Sequence, residues 1–281
     1  MGTPVFVITG GDPLARPDVF DLLGAVRGAG MHAGFSPSVT PRLTPAALQR
    51  AVTAGADTIH LSLDGACAET HDAFRGVPGS FARTMTALRV AHDTGARLQV
   101  GTTVSRRTVA ELPAIAESLA GTAWQWALFF LVPTGRAATA DMLDPDEHEE
   151  VMGWLATTEF PFPVRTVAGP AYRRVLAQHG LPAAPGVNDG NGFCFVSHLG
   201  AVCPSGFLQM PVGNVRQRSL ADCYQDPLFR ALRDPDRLKG KCGTCRYRRI
   251  CGGSRARAWA VTGDPLASDP TCAFPGVGGD L

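Results

Sequence analysis

Between residues 5 and 167 short β-branched runs alternate with amphipathic stretches, and this alternation constrains the fold more than any other feature of the chain. Residues 5–9, 31–36, 58–63, 97–104, 126–132 and, more weakly, 164–167 read as strands. The helical patterns between them have recognisable starts. Thr44 before Pro45 gives an N-cap with proline at the first helical position. Ser80 precedes an amphipathic stretch over 81–94, and Asp144 is followed three residues later by Glu147 in a capping-box pattern. Strand–helix units repeating every ~25–35 residues imply parallel pairing through right-handed crossovers, hence an α/β barrel or a doubly wound sheet. In both architectures the active face lies just beyond the C-terminal ends of the strands.

After Pro182 the texture changes. A loop-like stretch rich in Pro, Gly and Asn leads into a region of turns and cysteines, with short helical patches near 220–233 and 255–261. Such a segment offers few periodic apolar faces and needs staples, which a metal supplies. The expected domains are therefore 1–182, an α/β barrel portion, and 183–281, a small irregular cysteine-rich domain.

Composition excludes several classes. With 281 residues, 45% hydrophobic and 18% charged, the chain folds as a globular protein. A net charge of +1 creates no global field for nucleic acid or an anionic membrane. The N-terminus has no basic region and enters a strand directly, unlike a signal peptide, and the longest apolar stretch, 127–133, is too short to span a bilayer. Eight cysteines without an export signal point to a reducing cytoplasm, with thiols free or bound to metal.

Four of those cysteines, Cys242, Cys245, Cys251 and Cys272, are spaced C-x2-C-x5-C and then one more after 20 residues. Four thiolates on tight turns suit a soft metal centre. The spacing alone leaves an iron–sulfur cluster, a structural zinc and a disulfide network open.

The strand ends carry a second pattern. The first runs into Gly10, Gly11, Asp12 and Pro13, where two glycines admit close backbone approach and the aspartate accepts from an ammonium, or caps the following helix. The next strands end in Ser36, in Ser62 and Asp64, and in Thr102. Ser62 and Asp64, flanking Leu63, share one face. A hydroxyl-lined mouth of this kind suits a ligand with an amino acid and a sugar.

These residues resemble those of radical S-adenosylmethionine (radical SAM) proteins with a C-terminal SPASM-type domain, in the branch of haem-biosynthetic enzymes and peptide maturases. The resemblance rests on Gly10-Gly11-Asp12-Pro13, similar to the Gly-Gly-Glu-Pro motif that holds the methionyl amine of SAM. It rests also on Leu61 to Gly65 with His71 to Gly76, on Pro133 to Ala137, and on the segment from Cys242 to Cys272. It implies a partial (β/α)6 barrel, with Gly10, Gly11, Asp12, Ser36, Ser62, Asp64 and Thr102 around SAM. It further implies an auxiliary [4Fe-4S] cluster on Cys242, Cys245, Cys251 and Cys272. The implied activity is reductive SAM cleavage and hydrogen abstraction from a tetrapyrrole or peptide, served by an electron donor such as flavodoxin or ferredoxin. His71 and Asp72 belong, by the same resemblance, to a structural turn.

Two departures qualify this. The family's catalytic cluster sits on C-x3-C-x2-C, and no such spacing occurs here; none of the nine residues before Gly10 is cysteine. The expectation is a chain truncated before its first βα unit, with a degenerate homologue as the alternative; the first strand is then a bare edge, and the chain as written is inactive in radical chemistry. The catalytic [4Fe-4S] cluster is expected only with the missing segment. Second, full SPASM domains carry a cysteine four residues after the third of the C-x2-C-x5-C group, where this chain has Arg255. One auxiliary cluster is expected, with Cys194 and Cys203 unligated. The competing class is a non-enzymatic binding protein stabilised by zinc or a cluster.

Overall fold

The computed structural model describes residues 2–276. Strands β1 (Val5–Ile8), β2 (His32–Phe35), β3 (Ala56–Ser62), β4 (Arg97–Val104), β5 (Gln125–Phe130) and β6 (Val164–Val167) form one sheet in sequential order. β1, β2, β3 and β4 pair in parallel, with Ile8 opposite Phe35, Phe35 opposite Ile59 and Ser62 opposite Gly101. A strand order that follows the chain without reversal is that of a barrel wall; a doubly wound sheet reverses at a switch point. The fold is thus α/β of the barrel type, and the expected strands lie within two residues of the observed ones.

The connecting helices are α1 (Val19–Gly28), α2 (Pro45–Ala54), α3 (Ala68–Arg75), α4 (Ser80–Asp93), α5 (Leu112–Leu119), α6 (Pro145–Thr157) and α7 (Ala171–Gln178). The Thr44 hydroxyl accepts from the Ala47 amide at 3.1 Å, and Asp144 and Glu147 complete a reciprocal capping box at 2.9 and 2.8 Å. α4 starts differently from its expected form. Gly79, at φ 73°, is its N-cap and Ser80 is already helical. The cap comes from α3, where the Asp72 carboxylate accepts from the amides of Gly79 and Phe81 at 2.5 and 2.7 Å.

Two compact units divide the chain. The first comprises residues 1–103, 107–128 and 160–165. Its core packs Val19, Leu23 and Val26 of α1 and Ala51 of α2 on Ile8, Ala33, Phe35 and Ala56 of the sheet. The alanines let the helices settle close to the strands, and a fully buried Leu23 or Phe35 contributes about 1.5–3 kcal/mol by leaving water.

The second unit comprises 104–106, 129–159 and 166–281, so residues 183–281 share it with α6 and α7. It holds an antiparallel sheet of β7 (Phe195–Val196), β8 (Ala201–Cys203) and β9 (Gly213–Asn214). Strands of two or three residues carry no readable alternation, and this sheet had no counterpart in the sequence reading. Four helices follow: α8 (Leu220–Tyr224), α9 (Pro227–Arg233), α10 (Gly240–Thr244) and α11 (Arg255–Thr262). The single patch expected at 220–233 is broken in two because Pro227 cannot donate and Asp226 caps α9 through the Leu228 amide at 2.9 Å. No helix among the described residues is long and apolar enough to cross a membrane.

Candidate functional site

In the first unit the expected cofactor residues follow the C-terminal ends of β1, β2, β3 and β4. Gly10, at φ 139°, and Gly11 are exposed, and a Cβ at either position meets nothing within 4 Å. Packing within the chain therefore does not require two glycines here; open space lies over the backbone. Asp12 caps the short 3-10 turn Pro13–Ala15, accepting from the Leu14 amide at 3.1 Å, and its other oxygen accepts from the Thr40 hydroxyl at 2.8 Å. The Ser38 hydroxyl donates to Gly11 O at 2.6 Å, tying the loop after β2 to the loop after β1. Ser36 is half-buried and Ser62 exposed.

Asp64 and Thr102 lie deeper. Asp64, 1% exposed, pairs with Arg75 of α3 and accepts from the Thr103 amide at 2.6 Å. Its own amide donates to His71 Nδ1 at 3.1 Å, so the buried His71 acts as a strut. Burial holds that imidazole below its ordinary pKa, in the neutral form that can accept. Thr102 is fully buried; its hydroxyl donates to Leu63 O at 2.7 Å and accepts from Trp126 Nε1 at 2.9 Å. Asx capping, the ion pair and the Trp126 bond thus account for Asp12, Asp64 and Thr102 locally, while the carboxylate of Asp12 keeps lone pairs free for a further donor.

The second unit gathers its cysteines. Cys242 on α10, Cys245 just after it, Cys251 and Cys272 line one cavity, together with His148, Arg174, Lys241, Arg248, Gly252, Gly253 and Asp269. All eight cysteines are free thiols. Burial pushes the Cys251 thiol up to about 12, because an isolated thiolate there would lack solvation. A bound metal reverses that preference and deprotonates its ligands. Four cysteine sulfurs are a donor set that suits an iron–sulfur cluster or a single zinc ion. Four sulfurs around one zinc, each at ~2.3 Å, stand only about 3.8 Å apart. A four-iron cube takes its thiolates at wider corners.

The frame around this cavity is polar and buried. Asp269, 3% exposed, receives a bidentate pair of bonds from Arg257 at 2.9 Å each and a third from the Ser254 amide at 2.7 Å. Burial alone would raise its carboxyl, and the Arg257 guanidinium overrides this and holds it below the usual range. Arg255 stands where the resemblance placed a cysteine, and it is no ligand remnant. It is 1% exposed, donates to the carbonyls of Gly253, Pro265 and Ala267 at 3.1, 3.0 and 2.7 Å, and reaches Cys242 Sγ at 3.7 Å. In the basic rim at 239–249, Lys239 pairs with Asp264, and Arg248 and Arg249 share Asp236. Cys203 and Cys223 are buried; Cys223 packs with Val202 and Phe229, and half-buried Cys194 joins that apolar cluster. Cys67 is exposed at the start of α3. The sequence reading missed His148 and Arg174. No periodicity marks either, since what distinguishes them is the cavity they face.

Comparison with known proteins decides the family. An AdoMet-dependent heme synthase of Methanosarcina barkeri is 38% identical over 98% of this chain and 83% of its own length. The chain belongs to the radical SAM superfamily. The model of the Radical SAM superfamily matches residues 1–119. A mycofactocin maturase of Mycobacterium ulcerans is 30% identical over 94% of this chain and 73% of that protein. Among solved structures, native anSMEcpe with bound AdoMet and the Kp18Cys peptide superposes with a TM-score of 0.68 at 15% identity, covering 95% of this chain and 80% of that one. The last likeness shows a shared fold.

Proposed function

We propose that this chain serves a radical SAM enzyme of the tetrapyrrole-modifying kind, binding SAM at the strand ends of its first unit and an auxiliary [4Fe-4S] cluster in its second. The observation that carries the reading is the 38% identity, along 98% of the chain, to a protein named AdoMet-dependent heme synthase. The exposed backbone of Gly10 and Gly11 and the free lone pairs of Asp12 would receive the ammonium of SAM, with Ser36 and Ser62 meeting carboxylate or ribose. Asp64 and Thr102 would hold that layer from behind, Asp64 through Arg75 and Thr102 through Trp126. Cys242, Cys245, Cys251 and Cys272 would hold the cluster, whose chemistry is electron relay or substrate binding.

The catalytic cluster is a different matter. Its C-x3-C-x2-C spacing is absent from the 281 residues of the chain, so none of them fits that cluster and no radical step is assigned to them. A peptide substrate is the second reading, favoured by the 30% identity to a mycofactocin maturase. A structural zinc site in a non-enzymatic protein is the contrasting class.

Anaerobic reconstitution with iron and sulfide tests the cofactor. We expect about four irons and four sulfides per chain, and loss of most of that iron in Cys245→Ala. A colourless protein carrying one zinc, or full iron retained by Cys245→Ala, overturns the cluster. Titration with a carboxylate-bearing porphyrin should shift its main absorption band; no such shift, together with binding of a cysteine-containing peptide, moves the substrate to the second reading.

A further inference from the structure

His148 lies on α6, 2% exposed, its ring packed edge-on to Phe130 with centroids 4.9 Å apart. Neither Nδ1 nor Nε2 has a hydrogen-bond partner among the described residues. Leaving such groups dry and unpaired costs about 1–3 kcal/mol apiece, and a native fold seldom tolerates two on one ring. The same ring lines the cavity of the four cysteines.

A second side chain there shows the same deficit. Arg174 on α7 is 1% exposed. Its Nη1 and Nη2 donate to the Glu149 carboxylate at 2.7 and 2.5 Å, and Nη1 also to Gln178 at 2.6 Å. Its Nε is buried with no hydrogen-bond partner among the described residues, and the residue lines the same cavity. From a third element, Arg255 already donates to Cys242 Sγ. His148 of α6 and Arg174 of α7 therefore border a space walled by four thiols, with Arg255 of α11 bonded to one of them from outside; the Asp269 carboxylate in the same lining is already engaged by Arg257 and Ser254, which leaves the sulfurs as the acceptors still open.

We infer that His148 and Arg174 donate ring N–H and Nε–H hydrogen bonds to the sulfurs of the cluster on Cys242, Cys245, Cys251 and Cys272 and, with Arg255, raise its reduction potential. The inference rests on the cluster assignment made above. Hydrogen bonds to cluster sulfurs favour the reduced, more negative state, so their removal lowers the potential. The two side chains tune the site and hold it; they are not ligands.

The test compares reconstituted wild-type protein with His148→Phe, which keeps an aromatic ring against Phe130 and removes both nitrogens. Iron and sulfide content should stay at the wild-type value. The midpoint potential from spectroelectrochemistry should fall by at least a tenfold change in the reduction equilibrium, 59 mV for one electron, and His148→Gln, which restores a donor, should recover part of it. A second readout is the melting temperature with and without cluster. Removing orphaned polar atoms leaves the apo-protein unchanged or stabilises it, whereas the loaded protein should lose stability. Should phenylalanine prove too large for the space, His148→Leu gives the same two readings. A loaded wild type with an unchanged potential in these variants, or equal destabilisation of apo and loaded forms, overturns this inference alone. A wild type that assembles no cluster overturns it together with the cofactor reading on which it rests.

Discussion

His60 shows how one buried side chain ties stability to pH. It sits on β3, where Gln99 Nε2 bonds to its Nδ1 at 3.2 Å. Burial, with the nearby Arg165 charge adding to it, pushes the imidazole down to about 4. The unfolded chain protonates this histidine near its ordinary 6.5, so between pH 6.5 and 4 the unfolded state binds more protons than the folded one. The contribution of His60 is therefore complete above pH 6.5 and is lost as pH falls towards 4. The difference of 2.5 units in pKa corresponds to up to about 3 kcal/mol. Urea titrations at pH 7.5 and pH 5 should show this decline, and His60→Asn should flatten it; an equal slope in the variant would dissociate the effect from His60. A lone histidine inside a strand is legible as a packing residue more readily than as a ligand. The dependence of His60 on Arg165, 105 positions along the chain, was not legible, because sequence spacing carries no sign of which strands of a barrel wall face one another.

At the scale of the element, the turn after Cys251 is the most demanding piece of backbone. Gly252 and Gly253 both adopt left-handed conformations, at φ 69° and 65°. A Cβ on Gly253 would stand 2.5 Å from Arg255 Nη2, 2.9 Å from Asp269 Cβ and 3.1 Å from Cys242 Sγ. On Gly252 it would meet only the Arg248 carbonyl at 3.4 Å and a Leu238 methyl at 4.0 Å. Gly252→Ala should thus lose about 1–2 kcal/mol for the left-handed backbone alone. Gly253→Ala should lose more and release iron as well, since it displaces both the proposed ligand Cys242 and the arginine beside it. Equal loss in the two variants, by urea unfolding and iron analysis, would contradict the crowding argument. Elements with strong local codes were readable: the alternating strands, the Thr44 cap and the Asp144–Glu147 box all occur as expected. The cap of α4 was hidden because Asp72 reaches it from another helix. β7, β8 and β9 were hidden because their length is set by hydrogen bonding to neighbours and not by their own residues.

Across the whole molecule the two units are stabilised by different means, and metal removal should separate them. The first has helices packed on a parallel sheet, with Leu23, Phe35, Leu48, Ile59, Leu61, Leu63 and Leu88 at or near zero exposure. In the second, the stretch from α10 to Cys272 relies on polar cross-links. Arg257–Asp269, Arg255 on three carbonyls and Lys241 Nζ on Cys272 O at 2.8 Å supplement a small apolar cluster around Leu208, Leu232 and Ala256. Buried ion pairs of this kind hold a geometry more than they add net stability. Four proposed ligands spread over 31 residues, 242 to 272, would make the binding energy of the proposed cluster part of this segment's folding energy. Anaerobic chelation of the reconstituted protein should raise amide hydrogen exchange over residues 240–274 by tenfold or more, which is about 1.4 kcal/mol of local stability. The amides of β2, β3 and β4, inside the parallel ladder, should keep their protection, because no ligand lies on those strands. Protection lost equally in both sets of amides would show one cooperative unit, and protection unchanged at 240–274 would show that the cysteines bind no metal that matters to the fold.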